Sequence, residues 1–436
     1  MTPLLAGTAG GAITPAWPVF MECYPGRAEP VRETLDPLEA RALVLDHGGW
    51  RAAVVAVDVT GLEAESAARI QAAAAASGVP AGDILLMASH THAAPAVTRF
   101  KAVPIDAAYL DWLETTLAGL VVAAAGRLRP VTLGVGEGAT DFNVNRRRRT
   151  PQGMRLLANP GGLVDRRVRV LRLDPAAADV HPPAARGTLG GHPLPQTDPL
   201  AVLFSYACHP TIVGGDLYRW SGDYPGAARR LIEGAYGEGT TALFLAGCFG
   251  NLRPHLLAPD GRFRSATAPE LRVLGRRLGS AVVGAAERVV GEPVASLASG
   301  RREVFLPYGP AAPPGGAGGD SVPPGGETVT VHVLRLGRHW LVATPGETFL
   351  EIGLSVERGL AELGLADPAA GDLTLCLSYT NGYVGYLASA SAVGEGGYEP
   401  GSFPEYQRPA PFGPRVEAAL VGAALEVAQE LGAGER

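Results

Sequence analysis

Short apolar runs of strand length alternate with longer amphipathic segments along this chain, and this alternation limits the possible folds more than any other feature. Alternating strands and helices predict an α/β fold rather than a helical bundle or a β-sandwich. A mixed-sheet α+β fold is the alternative, because the strands at 329–336 and 340–343 can form a hairpin across Gly337 and Arg338. Strands are predicted at 52–57, 84–88, 131–135, 168–173, 201–207, 242–246, 329–336, 340–343 and 373–377, and helices at 62–77, 106–127, 224–236, 269–290, 348–363 and 416–431.

Two segments rich in proline and glycine interrupt this pattern, at 175–199 and 307–326. They contain too few apolar side chains to offset the entropy of ordering them in a core, so we predict loop excursions there. The chain has 436 residues, 47% of them hydrophobic, which is enough to build a large core. Residues able to carry chemistry lie on both sides of the second excursion, and we therefore predict a single domain over 1–436.

Composition excludes several functional classes. The net charge is −6 and the one concentrated basic run is Arg146 to Arg149, so no nucleic-acid partner is expected. No run reaches the roughly 20 apolar residues that cross a bilayer, and the first residues lack the pattern of a signal peptide. We therefore expect a cytoplasmic protein with no transmembrane segment. The four cysteines are far apart and form no C-x-x-C pair, which favours reduced thiols.

Chemically active side chains follow three of the predicted strands. His90 and His92 come directly after the strand at 84–88, and residues two apart on an extended chain face the same side. His209 follows the strand at 201–207, and Glu347 lies between the strand at 340–343 and a helix. Two histidines and one carboxylate are a recurrent catalytic zinc set. Each residue also has a structural alternative: a core histidine, or a carboxylate that the helix dipole stabilises.

The sequence resembles the neutral, non-lysosomal ceramidases in segments that occur in the same order from the N-terminus to about residue 400. The resemblance implies the zinc-containing N-terminal catalytic domain of that family. The matching segments are AGTAGGAITPAW at 6–17, SHTHAAP at 89–95, NR at 145–146, CHPT at 208–211, TPGETF at 344–349, LS at 377–378 and NGYVGY at 381–386.

The resemblance also implies individual roles. Zn²⁺ would be held by the side chains of His90, His209, Glu347 and Tyr383. His92, as the second histidine of its motif, would lie over the reacting carbonyl, and Arg146 would help to hold the oxyanion. Tyr386 is a further candidate donor to that oxyanion.

The sequence also departs from the family pattern. Ceramidases of this family carry a C-terminal immunoglobulin-like domain, which we do not expect here after the helix at 416–431. The segment GNLRPH at 250–255 replaces the family's G-D-V-S-P-N. We therefore expect a small soluble substrate, with an anionic group if arginines of the run at 146–149 point inward, rather than ceramide.

The predicted activity is that of a zinc-dependent amidohydrolase that cleaves an N-acyl bond with metal-activated water. One alternative is ester or lactone hydrolysis, acyl transfer, or a cyclisation or elimination on the same zinc scaffold. A non-catalytic binding protein is a second alternative. Asp58 and Asp223 are read either as carboxylates that orient a ligand imidazole or as turn and cap residues.

Overall fold

The computed structural model describes residues 2–24, 26, 29–176, 188–189, 192–193, 198–214, 217–237, 239–309 and 325–433. The strands are β1 (Leu4–Ala12), β2 (Glu39–His47), β3 (Trp50–Val57), β4 (Ile84–Ala88), β5 (Arg129–Ala139), β6 (Asn143–Thr150), β7 (Gly153–Asn159), β8 (Arg167–Pro175), β9 (Thr188–Leu189), β10 (His192–Pro193), β11 (Ala201–Tyr206), β12 (Thr241–Ala246), β13 (Leu252–Pro254), β14 (Leu297–Pro307), β15 (Gly326–Leu336), β16 (His339–Ala343), β17 (Glu347–Thr348), β18 (Thr374–Leu377) and β19 (Tyr386–Leu387). The α-helices are α1 (Ala64–Ala73), α2 (Ala107–Ala125), α3 (Asp223–Tyr236), α4 (Ala268–Ala286), α5 (Leu350–Glu362), α6 (Ala390–Glu395), α7 (Tyr398–Gly401) and α8 (Val416–Ala433).

Two mixed β-sheets pack face to face between two layers of helices. The larger sheet has eight strands in the order β12-β11-β8-β5-β1-β2-β3-β4, and its parallel pairs are β3 with β4 and β11 with β12. The smaller sheet has the order β14-β15-β16-β18. Helices α1 to α4 cover the outer face of the larger sheet, whereas α5 and α8 cover the smaller one. This arrangement confirms the predicted α/β class, with the sheets mixed as in the stated alternative.

Alternation along the strands distributes the apolar side chains among three cores. In β3, Val54 faces the space between the two sheets, whereas its neighbour Val55 faces the helices α1 to α4. In β15, Leu334 packs between the sheets and Val333 packs against α5 and α8. Successive side chains on a strand point to opposite faces, so a continuous apolar run is what a strand buried on both faces requires. The inter-sheet core is mostly leucine.

All the strands and helices predicted from the sequence are present, with shifts of a few residues at their ends. The hairpin across Gly337 and Arg338 is confirmed by the antiparallel pairing of Leu336 with His339. The longer strands that the sequence pattern missed are β1, β2, β6, β7 and β14. It also missed the short strands β9, β10, β13, β17 and β19. Strand β1 is rich in glycine and alanine and so lacks a clear apolar pattern, and the four consecutive arginines of β6 resemble a solvent-exposed segment.

The two predicted loop excursions lie largely outside the described residues. Within the first, Thr188–Leu189 pairs with His192–Pro193 in a short antiparallel hairpin. The first and last residues of the second predicted excursion, Pro307 and Gly326, still belong to the sheet, because they pair with each other at the ends of β14 and β15.

Helix α2 is long and apolar enough to cross a membrane by length and composition, which no other helix of the described residues is. It begins at the predicted cap, because the Asp106 side chain accepts a hydrogen bond from the backbone N–H of Tyr109. Its residues Tyr109, Leu113 and Leu117 are buried against β1 and β2. This packing is that of a core helix, and core helices can have the same length and apolar composition as a membrane span.

The carboxyl ends of strands from both sheets are joined by main-chain hydrogen bonds. The N–H of Ala88, at the end of β4, donates to the carbonyl of Tyr379 at 3.1 Å, and the N–H of Ser378 donates to Ala246, the last residue of β12, at 2.9 Å. The segment after β18 therefore lies between the ends of β4 and β12. This junction is where the side chains predicted to carry chemistry come together.

Candidate metal centre

The predicted metal ligands lie together although they are up to 293 positions apart in sequence, from His90 to Tyr383. His90 follows β4, His209 follows β11, Glu347 begins β17 and Tyr383 lies between β18 and β19. All four side chains are buried. The rings of His90 and His209 are 4.9 Å apart between centroids. Folding therefore collects these residues in one place.

His90 occupies a backbone conformation that is uncommon for residues other than glycine, with φ of 64°. Its N–H donates to the carbonyl of Val59 at 3.0 Å, and the N–H of Ser89 donates to Val57 at 2.8 Å. The chain therefore turns at His90 instead of continuing in an extended form. His90 and His92 still face each other, at 3.2 Å between their Nε2 atoms, but through this turn and not through the strand periodicity that the sequence suggested.

Backbone carbonyls orient both buried histidines. The Nδ1 atom of His90 lies 2.7 Å from the carbonyl oxygen of Thr60, and Nδ1 of His209 lies 2.9 Å from that of Phe249. A carbonyl can only accept, so each Nδ1 carries the hydrogen and each Nε2 presents a lone pair. Burial lowers the pKa of His90, and it lowers the pKa of His209 to about 3. Both rings are therefore neutral, which is the form that binds metals.

Glu347 supplies the negative charge of the cluster. Its Oε2 atom lies 3.1 Å from Nε2 of His209 and 3.6 Å from Nε2 of His90. Its Oε1 atom accepts hydrogen bonds from the hydroxyls of Tyr383, at 3.1 Å, and of Tyr406. Burial acts to raise the pKa of Glu347, but the hydrogen bond from the Tyr406 hydroxyl is among the contacts that hold it below its usual range. Glu347 is therefore ionised.

The donor set fits a zinc ion. The ligand atoms of His90, His92 and His209 all lie within 4.8 Å of one another. Two lone pairs and a carboxylate converge on one point, which is the chemistry of a site for a borderline cation. The Tyr383 hydroxyl lies against the carboxylate, and its ring contacts Gly61, where a Cβ atom would lie 2.5 Å from the ring. Glycine at position 61 lets Tyr383 approach.

His92 differs from the other two histidines because it is only half-buried. Its position is fixed from its main chain, since its N–H donates to the carbonyl of Pro210 at 3.3 Å. Burial, and then the neighbouring imidazoles of His90 and His209, lower the pKa of His92 well below its usual value. A neutral, partly accessible imidazole can take either of two roles: the predicted contact with the reacting carbonyl, or a third nitrogen ligand.

Arg146 and Tyr386 form a hydrogen-bonded pair beside this cluster. Arg146 lies at a bulge in β6, where the register with β7 shifts between Asn145 and Arg147, and a bulge redirects the side chain. Its Nη2 atom donates to the Tyr386 hydroxyl at 2.7 Å and to the carbonyl of Gly250 at 2.6 Å. Tyr386 in turn pairs with Glu347 in the short β17–β19 ladder. Both residues are thereby tied to the backbone of a predicted ligand.

The structure reassigns other residues that the sequence singled out. Asp58 does not orient an imidazole; it binds Arg229, with Oδ2 2.7 Å from Nη2. Asp223, with φ of 53°, accepts hydrogen bonds from the N–H groups of Ile212 and Val213, both at 2.9 Å, and so holds the segment after His209.

The inward-pointing arginines of the basic run are already paired with a carboxylate of the protein itself. Arg147 is buried like Arg146, and its Nη1 atom lies 2.6 Å from Oε2 of Glu399. Glu399 also accepts from Nε of Arg146 at 3.0 Å, so one internal carboxylate serves both cations. Arg148 and Arg149 are exposed. The basic run therefore gives no support to the expectation of an anionic substrate group.

Three residues of the site went unrecognised in the sequence. Tyr379 stacks on the ring of His90 at 4.2 Å between centroids, Tyr406 donates to Glu347, and Glu399 neutralises the two buried arginines. A run of arginines calls for a nearby acid, and this is the signal by which Glu399 could have been sought. Tyr406 lies in a short 3₁₀ turn, Phe403–Tyr406, whose sequence carries no signal of its role.

Comparison with known proteins supports the fold and the family resemblance. No protein-family model matches the chain. A curated neutral ceramidase from Mycobacterium tuberculosis is 38% identical over 76 residues, which are 17% of this chain and only 12% of that protein's length. The solved neutral ceramidase of Pseudomonas aeruginosa superposes with a TM-score of 0.77 at 18% identity, over 99% of this chain and 75% of that one. A second solved ceramidase, in complex with C2, gives 0.75 at 18% identity, over 100% and 76%.

Proposed function

We propose that this chain, whose fold is that of the neutral ceramidases, is a zinc-dependent hydrolase of amide bonds. The observation that carries the proposal is the convergence of His90, His209 and Glu347, with Tyr383 at the carboxylate and His92 on the more exposed side. Two neutral imidazoles and one ionised carboxylate form a catalytic zinc set when a coordination position stays open. The ceramidase fold raises the expectation that the bond cleaved is an amide.

A zinc ion held there would supply an acidified water as nucleophile and would polarise the substrate carbonyl. The carbonyls of Thr60 and Phe249 keep the two imidazoles in the tautomer that binds metal. His92 can donate its ring N–H to the negative charge that develops on the carbonyl oxygen, or take a proton from the attacking water and pass it to the leaving nitrogen. The Tyr386 hydroxyl accepts from Arg146, so its own proton remains able to reach that oxygen.

We further propose that the substrate is a small, water-soluble amide rather than ceramide. The altered segment 250–255 supports this proposal, because it places Arg253 where the family pattern has an uncharged residue.

The test combines metal analysis with a substrate panel. Purified protein is assayed for bound zinc, and then for hydrolysis of long-chain ceramide in detergent, of short N-acyl amines, and of the matching esters. We expect about one zinc per chain and faster turnover of the short amides. A protein without zinc, or one that turns over the esters alone, would disprove the amidase proposal, and efficient turnover of ceramide would disprove the substrate proposal. His90→Ala is the control for activity from a contaminant.

A further inference from the structure

Arg253 differs from the other arginines in the interior. The fully buried arginines of the described residues each lie within 3.3 Å of a carboxylate oxygen; they are Arg146, Arg147, Arg169, Arg172 and Arg229. Arg253 is half-buried, and it makes no ion pair or side-chain hydrogen bond within the part of the chain that the structure describes. Its Nε atom is inaccessible to water and unpartnered.

The position of Arg253 is close to the metal centre. It lies in β13, which pairs with β6 so that Arg253 is opposite Val144. The carbonyl of the preceding residue, Leu252, lies 3.0 Å from Nδ1 of His209, and that of Asn251 accepts from the N–H of Arg146 at 3.0 Å. The guanidinium carbon Cζ of Arg253 lies 4.2 Å from the centroid of the Phe263 ring. This cation–π contact positions the group and uses none of its N–H donors in a hydrogen bond.

The energetics of this position need an explanation. Burial, and then the charge of Arg146, lower the pKa of Arg253 to about 10. A cation withdrawn from water without a counter-charge costs free energy, and an apolar side chain would pack on Phe263 without that cost. Thr211, two residues after His209, also has a buried hydroxyl oxygen without a partner. Each unsatisfied polar group in a folded protein needs an explanation, and the opposite charge of a ligand at the accessible N–H groups supplies one for Arg253.

We propose that Arg253 binds a carboxylate carried by the substrate. This inference rests on the proposed function and narrows its substrate class to amides that bear a carboxylate, on either the acyl or the amine side. A guanidinium offers two parallel N–H donors, which match the geometry of a carboxylate, and the contact with Phe263 positions that group. Arg253 would thus select the substrate, while the metal centre acts on its carbonyl.

Two pairs of probes separate the acyl side from the amine side. N-hexanoylglycine is compared with N-hexanoylethanolamine, and adipic acid mono-N-ethylamide with N-ethylhexanamide; each pair differs in the carboxylate. Dissociation constants are measured by calorimetry, and kcat/KM by product release, on the zinc-loaded protein. We expect tighter binding of the carboxylate member in one pair. Arg253→Met should weaken the binding of that carboxylate member by roughly 10- to 100-fold and should change the dissociation constant of its neutral partner by less than about twofold.

Two further variants make the result specific. Arg253→Lys keeps the charge without the planar fork and should give an intermediate loss. Arg262→Met removes an exposed arginine from the same region and should change neither member. Equal weakening of both members together with a lower melting temperature would show a structural role and overturn the inference, as would unchanged binding of all probes by Arg253→Met. Carboxylate-dependent binding without turnover of any probe would support the inference and count against the amidase proposal.

Discussion

At the scale of single residues, hydrogen bonds to the side away from the metal determine how the candidate centre works. The backbone carbonyls of Thr60 and Phe249 set the tautomers of His90 and His209, and Tyr406 donates to the carboxylate of Glu347. Such partners fix ligand orientation and increase ligand basicity. The half-buried His92 receives no such support at its ring, which agrees with a role toward substrate.

Replacement of the histidines should separate metal binding from turnover. His90→Ala and His209→Ala each remove a buried nitrogen ligand, and we expect both to lose zinc and activity together. His92→Ala should keep about one zinc per chain and lose roughly 10²- to 10³-fold in kcat, the usual loss of an oxyanion donor. Elemental analysis and steady-state kinetics on the same preparations provide the check. A zinc-free His92→Ala protein would assign His92 to the metal instead.

The buried carboxyl group of Glu22 should make stability depend on pH. Burial raises its pKa from 4.5 to about 7, although Thr98 donates to Oε1 from both its N–H, at 2.8 Å, and its hydroxyl. The nearby charge of Glu63 raises the pKa further, and Oε2 has no partner. The folded protein therefore binds this proton more tightly than the unfolded chain does. The resulting stability is complete below pH 4.5 and is lost as the pH rises through about 7.

Glu22→Gln should remove this dependence. At pH 8 we expect the variant to be more stable than the native protein by up to about 3 kcal/mol, and at pH 4.5 to differ little. Urea unfolding at the two pH values measures the difference. Glu65→Gln, at an exposed position of α1, is the control and should behave as the native protein. A free-energy difference that is the same at both pH values would contradict the assignment.

At the scale of elements, the bulge in β6 and the turn of α7 form one charged unit. The bulge directs Arg146 and Arg147 into the interior, and Glu399 in α7 (Tyr398–Gly401) meets both. Arg146 then contacts Gly250, whose N–H donates to the carbonyl of Thr348 at 2.8 Å. A Cβ atom at position 250 would lie 2.3 Å from the carbonyl oxygen of Glu347. Glycine is therefore required for this unit to reach the ligand strand β17.

Loss of the negative charge at Glu399 should destabilise the folded protein. Glu399→Gln leaves two buried arginines without a full counter-charge, and we expect a loss of about 3–5 kcal/mol in the free energy of unfolding. Glu395 also pairs with Arg147, at 3.3 Å, but its side chain is 34% exposed. Glu395→Gln should therefore cost less than about 1 kcal/mol. Denaturant unfolding of the two variants side by side tests this, and equal losses would argue against the internal pairing.

At the scale of the whole molecule, the candidate centre joins the two sheets. His90 and His209 follow strands of the eight-stranded sheet, whereas Glu347 follows β16 of the four-stranded sheet. The sheets otherwise meet through apolar contacts such as those of Leu43, Leu203 and Leu334. A metal bound by ligands from both sheets would act as a cross-link in the folded state only.

Removal of zinc should therefore lower the stability of the entire fold. Ligand binding at 100 times the dissociation constant stabilises a folded protein by about 2.7 kcal/mol, and chelation should remove that contribution. We expect the melting temperature to fall on treatment with a chelator, in one cooperative transition, and to recover with added zinc. His209→Ala should melt at the same temperature with and without chelator. Independent melting of two parts would show that the metal does not couple the sheets.

The amino-acid sequence by itself determined the class of the fold and which side chains could act together. Apolar runs buried on both faces predict strands such as β4 and β11, because periodicity and length are local properties of the chain. The positions of His90, His209 and Glu347 after strands follow from the same local information. The motifs around them pointed to the neutral ceramidases, a resemblance that the shared fold supports.

Only the tertiary structure decided which partners these side chains have. The turn at His90, the carbonyls at the back of both imidazoles and the Tyr406 hydroxyl depend on segments far apart in sequence. The same is true of charge. The sequence shows four adjacent arginines, but pairing with Glu399 satisfies the two that are buried. Arg253 departs from the family pattern in the sequence, but only the structure shows that it forms no ion pair among the described residues. Electrostatic free energy depends on distance and burial, and the chain acquires both only when it folds.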